Sequence, residues 1–315
     1  MRINKRNSCR FVGAAIAGVA LLVASMAVAA ADTVRFSVPP WPGAQVKAEL
    51  ASQIVEALGY DTEINAVAPT LAIKAVSNGD VDVLLDVWIP SQQSTLETVQ
   101  EDGHIDVVNT NLDDALYGIV VPDYVWEAGV HSIADLAEHA DQFGSVVYGI
   151  DAGSDGNLIV KDAVKDNTYD LQGWRVSPST TAGMLAQADK KIRNDEWIAF
   201  LGWRPHWMNI EYDLKYLDDP EGIWGSDYLI YTIANKDFLA DDPNMKRFFE
   251  QFEMDAEAQG SWILEYGLNE VDIDEVAKDW ITAHKDTVDE WLEGVETVDG
   301  DSAVEAIDAA FPAGE

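Results

Sequence analysis

The chain has 315 residues, with 56 acidic and 20 basic side chains and a formal net charge of −36. Contacts to phosphate groups need clusters of Lys and Arg, so this charge excludes a nucleic-acid-binding protein. Because 48% of the residues are apolar and 10% are aromatic, the composition also excludes a disordered chain and is sufficient for two globular lobes.

The N-terminal segment has the pattern of a secretory signal peptide. Residues 1–31 carry four basic and no acidic side chains, an apolar run from Val12 to Ala24, and small residues at 27–31. The run is too short and too rich in alanine for a membrane span. We therefore expect residues 1–31 to be removed on export to the periplasm, which leaves a net charge of −40. The single cysteine, Cys9, leaves with them, so we expect no disulfide, thiolate metal site or cysteine nucleophile in the mature chain.

Strand and helix patterns alternate along the rest of the chain. Strands are predicted at 33–38, 61–67, 81–88, 115–121, 146–150, 198–201, 214–217 and 228–233. Helices are predicted at 44–58, 70–77, 132–139, 157–164 and 180–188, with further helices after residue 233. This alternation predicts an α/β fold with parallel strands.

Three of the eleven tryptophans stand where predicted strands end, namely Trp41, Trp88 and Trp203. In a parallel α/β sheet the ligand site lies beyond the carboxyl ends of the strands, so these rings are expected to converge on one cleft. Packing in the core is the simpler explanation for one such ring, but not for three at equivalent positions. Aromatic faces attract a cation whose charge is spread over methyl groups. The pattern therefore indicates a methylated ammonium ligand.

The other tryptophans carry less information. Trp280 and Trp291 are eleven residues apart in the C-terminal helical region and are expected on one face, in the core. No role is assigned to the remaining ones: Trp126, Trp174, Trp197, Trp207, Trp224 and Trp262.

Six segments together resemble the periplasmic substrate-binding proteins of quaternary-ammonium ABC importers, which bind glycine betaine, proline betaine or choline. They are GDVDVLLDVWIP at 79–90, LYGIVVP at 116–122, GIDAGSDGN at 149–157, STTAGM at 179–184, GWRPHWM at 202–208 and WITAH at 280–284. The resemblance extends from Val34 to about Leu292. It implies a two-lobed clamshell of the type II binding-protein fold, with residues 32–115 and 213–315 in lobe one and 116–212 in lobe two. It also implies a monomer that delivers its ligand to the membrane permease subunits of an importer, with no cofactor and no enzyme activity.

The choline-binding branch of this family is the most similar in layout. Its aromatic box falls on Trp41, Trp88, Tyr117 and Trp203 in this chain. Where that branch has an aspartate that binds the choline hydroxyl, this chain has Gly43. This departure, together with Ser154 described below, implies glycine betaine as the preferred ligand, with trimethylamine N-oxide or choline as the alternatives.

A second group of residues is expected to contact the polar end of the ligand. Ser154 stands where the choline branch has an asparagine, and with Gly153 it lies at a predicted helix N-terminus, whose free N–H groups favour an oxygen ligand. Asp155 opposes an anion there, unless it caps the helix. His206 is a further candidate donor, although capping or packing explains it equally well.

Two other interpretations remain open, one for the turn at 152–156 and one for an acidic loop. The segment 152–156 differs by one residue from the G-x-S-x-G turn of serine hydrolases, with Ser154 as nucleophile and His206 or His284 as base. The acidic residues Asp218, Asp219 and Glu221 have the chemistry of a calcium loop without its spacing. We favour a solvated loop there and expect no metal.

Overall fold

Two five-stranded mixed sheets organise the chain. The structure is a computed structural model and describes residues 33–312, which belong to one unit, Ala31–Glu315. The expected signal peptide and Cys9 lie outside the described residues. The strands are β1 (Thr33–Val38), β2 (Asp61–Ala66), β3 (Val83–Ile89), β4 (Ile105–Leu112), β5 (Leu116–Pro122), β6 (Val146–Tyr148), β7 (Arg175–Ser177), β8 (Ala199–Arg204), β9 (Leu214–Tyr216) and β10 (Leu229–Asn235).

Within residues 33–312, fourteen α-helices connect and cover the strands. They are α1 (Pro42–Ala57), α2 (Pro69–Asn78), α3 (Gln93–Gln100), α4 (Asp123–Glu127), α5 (Ala140–Phe143), α6 (Asp155–Lys165), α7 (Thr181–Ile192), α8 (Met208–Glu211), α9 (Lys236–Asp241), α10 (Pro243–Gln251), α11 (Ala256–Gly267), α12 (Ile273–Ala283), α13 (Lys285–Trp291) and α14 (Ala303–Ala310). The segment predicted as a helix at 132–139 forms a 3₁₀ helix over Ile133–His139, and a second short 3₁₀ helix spans Thr168–Asp170.

The strand order separates the sheets into two lobes. The first sheet has the order β2-β1-β3-β10-β4 and the second has the order β7-β6-β8-β5-β9. We call the first sheet with its helices the first lobe, and the second sheet with its helices the second lobe. β9 pairs with β5, so residues 214–216 lie in the second sheet, although we expected the range 213–315 in lobe one.

The expectation of parallel strands is wrong for two strands, β5 and β10. β1 runs parallel to β2 and β3, and β6 runs parallel to β7 and β8. β10 runs antiparallel to β3 and β4, and β5 runs antiparallel to β8 and β9. Antiparallel neighbours cannot be recognised from strand patterns alone, because alternation within a strand is independent of its direction.

Each lobe has a buried apolar core, and the core of the second lobe also includes residues of the first lobe. The first core packs β1 and α1 against the C-terminal helices and contains Trp280 and Trp291, whose rings stack with centroids 5.5 Å apart. Their expected place in the core is confirmed, although they lie on separate helices, α12 and α13. The second cluster includes Trp88 and Ile230 of the first lobe. Apolar packing therefore continues across the cleft.

No helix in the part of the chain that the structure describes is long and apolar enough to cross a membrane.

Candidate ligand-binding site

A small cavity between the two sheets is lined mainly by aromatic rings. Its lining consists of Trp41, Trp88, Tyr117, Ile150, Asp155 and Trp203. The cavity has a volume of about 310 Å³, counting the part open to solvent. The four aromatic side chains expected from the sequence thus line one cavity. We call Trp41, Trp88, Tyr117 and Trp203 the cage.

The first lobe supplies two of the cage rings. Trp41 follows β1 and is the N-cap residue of α1, which begins with a proline at its first position, as is common. Trp88 lies near the end of β3, a strand that is buried along its whole length. Because β1 and β3 are parallel neighbours, their carboxyl ends bring the two tryptophans to the same edge of the sheet.

The second lobe supplies the other two rings. Tyr117 of β5 pairs directly with Trp203 of β8, and the ring centroids are 6.2 Å apart at an interplanar angle of 88°. Trp88 reaches Tyr117 from the other lobe with a centroid distance of 5.8 Å. Trp224 packs behind Tyr117 at 5.0 Å. All four cage residues are only 6–7% exposed, so they form a dry aromatic surface.

A buried ion pair lies directly behind the two rings of the first lobe. Asp86 accepts hydrogen bonds from the indole Nε1–H of both Trp41 and Trp88. Lys47 of α1 donates to the second carboxylate oxygen of Asp86 at 3.0 Å, and neither side chain is more than 2% exposed. Burial lowers the pKa of Lys47, and the charge of Asp86 opposes that shift. Sequence analysis missed both residues, although a charged residue inside the apolar run of β3 is a usable signal.

Asp155 is the one charged side chain among the described residues of the lining. Burial raises the pKa of its carboxyl, while hydrogen bonds from Ser91, Gln92 and the N–H groups at the start of α6 act in the opposite direction. Its Oδ2 atom is buried and has no hydrogen-bond partner of normal geometry among the described residues. The carboxyl therefore faces the cavity and also meets the first lobe.

Gly153 and Ser154 do not line the cavity. The Ser154 hydroxyl caps α6 by accepting a hydrogen bond from the N–H of Asn157. Gly153 has a φ of +88°, and a Cβ atom there would lie 3.0 Å from Cγ2 of Thr70 in the first lobe. Gly153 thus lies against the opposite lobe, and the role of both residues in ligand binding remains a prediction.

Gly43 does not line the cavity. A Cβ atom on Gly43 would lie 2.9 Å from Nε2 of Gln259 and 3.2 Å from Ile263. The influence of this position on ligand selectivity stays a prediction.

His206 supports a cage ring from behind. Its Nδ1 accepts a hydrogen bond from the N–H of Met208, and its ring packs against Trp203 with a centroid distance of 4.9 Å. Burial lowers its pKa to about 3, so the imidazole is neutral at physiological pH. Packing and capping, the alternative explanation, is what the described contacts of His206 show.

The geometry gives no support to a serine hydrolase. The Ser154 hydroxyl caps α6, and the two candidate bases have other partners. His206 packs on Trp203, whereas His284 stacks on Trp280 with a centroid distance of 4.4 Å.

Asp219 of the acidic loop makes hydrogen bonds within the protein. Asp219 accepts hydrogen bonds from the Tyr169 hydroxyl and from the N–H of Trp224. Residues 33–312 contain no group of three or more His, Cys, Asp or Glu side chains arranged to hold a metal ion.

Comparison with known proteins gives consistent matches. Residues 32–283 match the model of the substrate-binding domain of ABC-type glycine betaine transport systems. A glycine betaine/carnitine transport binding protein of Listeria monocytogenes (serotype 1/2a, strain 10403S) is 38% identical over 167 residues, which cover 53% of this chain. The alignment spans about half, 54%, of that curated relative.

Two solved structures share the fold along nearly their whole length. An ABC-transporter choline-binding protein in complex with choline has a TM-score of 0.86 and 29% identity, covering 89% of this chain and 98% of its own. The lactococcal OpuAC protein, closed on glycine betaine, has a TM-score of 0.76 and 28% identity, covering 82% and 99%. These similarities confirm the expected two-lobed α/β binding-protein fold.

Proposed function

Because the chain belongs to the family of substrate-binding domains of ABC-type glycine betaine transport systems, we propose that it captures a methylated ammonium compound in the cage. The observation that carries this proposal is the convergence of Trp41, Trp88, Tyr117 and Trp203 on one cavity. A quaternary ammonium group spreads its charge over methyl groups, so it can be desolvated and held against aromatic faces within about 6 Å of their centroids.

The preferred ligand in this proposal is glycine betaine or a related osmolyte. The small size of the cavity supports a compact molecule, and the curated relative is a glycine betaine/carnitine transport binding protein. Trimethylamine N-oxide has the same methylated head and a single polar oxygen, so it remains an alternative ligand.

Choline is a second candidate, and Asp155 is the observation that favours it. An ionised carboxylate in the lining attracts a cation and accepts a hydrogen bond from a hydroxyl group, whereas it repels the carboxylate of glycine betaine. The solved structure with a TM-score of 0.86 holds choline. Gly43 therefore does not remove choline from consideration.

The biological role that we propose is delivery of the ligand to the membrane permease subunits of an ABC importer. Proteins of this kind work in the periplasm or outside the cell, and the signal-peptide pattern of residues 1–31 supports the periplasm. We propose a monomer without enzyme activity. Lobe one would comprise residues 32–115 and 217–315, and lobe two residues 116–216, with β9 assigned to the sheet in which it pairs.

Calorimetric titration tests the proposal directly. The purified mature chain is titrated with glycine betaine, choline, trimethylamine N-oxide and, as the unmethylated control, glycine. We expect saturable binding of at least one methylated compound and none of glycine. The proposal fails if no methylated compound binds, or if glycine binds as tightly.

A further inference from the structure

The carboxylate of Asp86 lies behind the cage without lining it. Its Oδ2 accepts from the indole N–H of Trp88 at 3.0 Å and also from the indole N–H of Trp41. One oxygen atom thus holds two rings that come from different elements, one after β1 and the other in β3. Side chains two residues apart in a strand share a face, so Asp86 and Trp88 point to the same side of the sheet.

Lys47 fixes the carboxylate in turn. Its Nζ donates to Oδ1 of Asp86 at 3.0 Å, to the carbonyl oxygen of Leu85 at 3.2 Å and to Oδ1 of Asn111 at 3.1 Å. Asn111 is held by its own hydrogen bonds to Leu85 and Thr232. Every charged atom of this cluster therefore has a partner, as a buried ion pair requires.

We propose that Asp86 is a positioning residue that fixes Trp41 and Trp88 as one rigid half of the cage, with Lys47 as its counter-charge. This inference rests on the proposed function, because it concerns how the cage binds its ligand. Two effects follow from the geometry. The shared acceptor sets the angle between the rings, and a hydrogen bond to an anion leaves more electron density on the ring faces that attract a cation.

The test removes both charges together. Substituting only one member of a buried ion pair leaves an uncompensated charge that destabilises the fold. In the double variant Asp86→Leu/Lys47→Met the indoles lose their acceptor while the buried volume is kept. We expect the affinity for the best-binding methylated ammonium compound to fall about tenfold or more, since two rings lose their orientation.

A second double variant separates positioning from packing. Asp86→Asn/Lys47→Gln carries no charge but keeps an oxygen that can accept from both indoles. We expect it to recover most of the lost affinity, to within about threefold of the unmodified protein, which is under 0.7 kcal/mol. If this variant binds as poorly as Asp86→Leu/Lys47→Met, the acceptor oxygen is not what positions the rings and the proposal is overturned.

The ion pair of Arg35 and Asp82 provides the matched control. It joins a residue of β1 to the residue before β3, and its described hydrogen bonds involve no indole. The variant Arg35→Met/Asp82→Leu is expected to bind the same compound within about twofold of the unmodified protein, a difference of about 0.4 kcal/mol.

Indole N–H signals in NMR spectra of ¹⁵N-tryptophan-labelled protein give a readout that does not depend on the ligand. The Trp41→Phe and Trp88→Phe variants identify the two signals. In the unmodified protein both are expected far downfield and slow to exchange, because the protons are buried against a carboxylate. They should move in Asp86→Leu/Lys47→Met and stay in place in the Arg35/Asp82 control variant.

The outcomes separate the two proposals. Should the unmodified protein bind no methylated ammonium compound, the proposed function fails while the indole signals still decide whether Asp86 holds the rings. Should it bind, unchanged affinity in Asp86→Leu/Lys47→Met would overturn the positioning role. Rapidly exchanging Trp41 and Trp88 signals in the unmodified protein would overturn it even where the double variant does not fold.

Discussion

All four cage rings line the cavity, so single substitutions separate the contributions of the rings. Trp88→Ala and Trp203→Ala each remove one face, worth about 0.5 to 2 kcal/mol of cation–π attraction. We expect each variant to bind its ligand about twofold to thirtyfold more weakly in calorimetric titration.

Trp126→Ala is the control for this prediction. Trp126 is half-buried, packs on His131 with a centroid distance of 4.7 Å and does not line the cavity. The control variant should keep the affinity of the unmodified protein. Unchanged binding in both Trp88→Ala and Trp203→Ala would remove the cage as the binding site.

Asp155 predicts opposite pH dependences for the two candidate ligands. Burial raises its pKa, so protonation begins at a higher pH than for an ordinary aspartate, whose pKa is about 3.9. As the pH falls, loss of the negative charge should strengthen glycine betaine binding and weaken choline binding. Tyr117 and Tyr228 have pKa values raised above their usual 10, and that of His206 is lowered to about 3, so these neighbours do not titrate between pH 5 and 8.

Titration of both ligands at a series of pH values falling from 8 checks this prediction. Asp155→Asn is the matched variant, because it keeps the shape of the side chain and removes its charge. The variant should bind each ligand with little dependence on pH. Parallel slopes for glycine betaine and choline in the unmodified protein would contradict the assignment of Asp155 to the cavity.

At the scale of elements, α6 packs so closely on β5 that a glycine is needed between them. A Cβ atom on Gly156 would overlap the Tyr117 hydroxyl at 2.1 Å. Gly156→Ala should therefore displace Tyr117 and weaken ligand binding about tenfold, although alanine favours a helix by about 1 kcal/mol.

Gly260→Ala is the control for the helix effect. Gly260 lies in α11, where a Cβ atom would meet nothing within 4 Å. This variant should gain thermal stability and keep its affinity. If Gly156→Ala also keeps its affinity, Tyr117 is not held in the cage by this contact.

The sequence predicted which segments form strands and helices, but it did not predict which elements lie next to each other. The strand ends located Trp41, Trp88 and Trp203, because the position of a ring after a strand can be read along one segment. The antiparallel direction of β5 and β10 depends on strands that are far apart in sequence, so it could not be read in this way. The same limit applies to Asp86, whose partners Trp41 and Lys47 lie on other elements.

Contacts between the two lobes also could not be predicted from the sequence. The Gly-rich turn before α6 was expected to offer free N–H groups to a ligand. In the structure the Ser154 hydroxyl accepts from the N–H of Asn157, and Gly153 faces Thr70. A turn sequence indicates which N–H groups are free within its own segment, but not which side chains of the chain reach them.

At the scale of the whole molecule, the large negative charge should have little influence on the affinity for a zwitterion. Most carboxylates are solvated, and their fields are screened within about 8 to 10 Å at ordinary ionic strength, whereas the buried cage acts at contact. Raising sodium chloride from about 0.1 M to about 1 M should change the glycine betaine affinity only slightly. A steep loss of affinity in calorimetric titrations at the two salt concentrations would show that bulk electrostatics governs the site.

The start of α6 and the turn before it meet the first lobe through polar residues, with Gly153 against Thr70 and Asp155 against Ser91 and Gln92. With rings that are only 6–7% exposed, a bound molecule leaves only after the lobes part. The rate of escape is then set by how often the contacts between the lobes break, which include the ring contact of Trp88 with Tyr117 as well as these polar contacts.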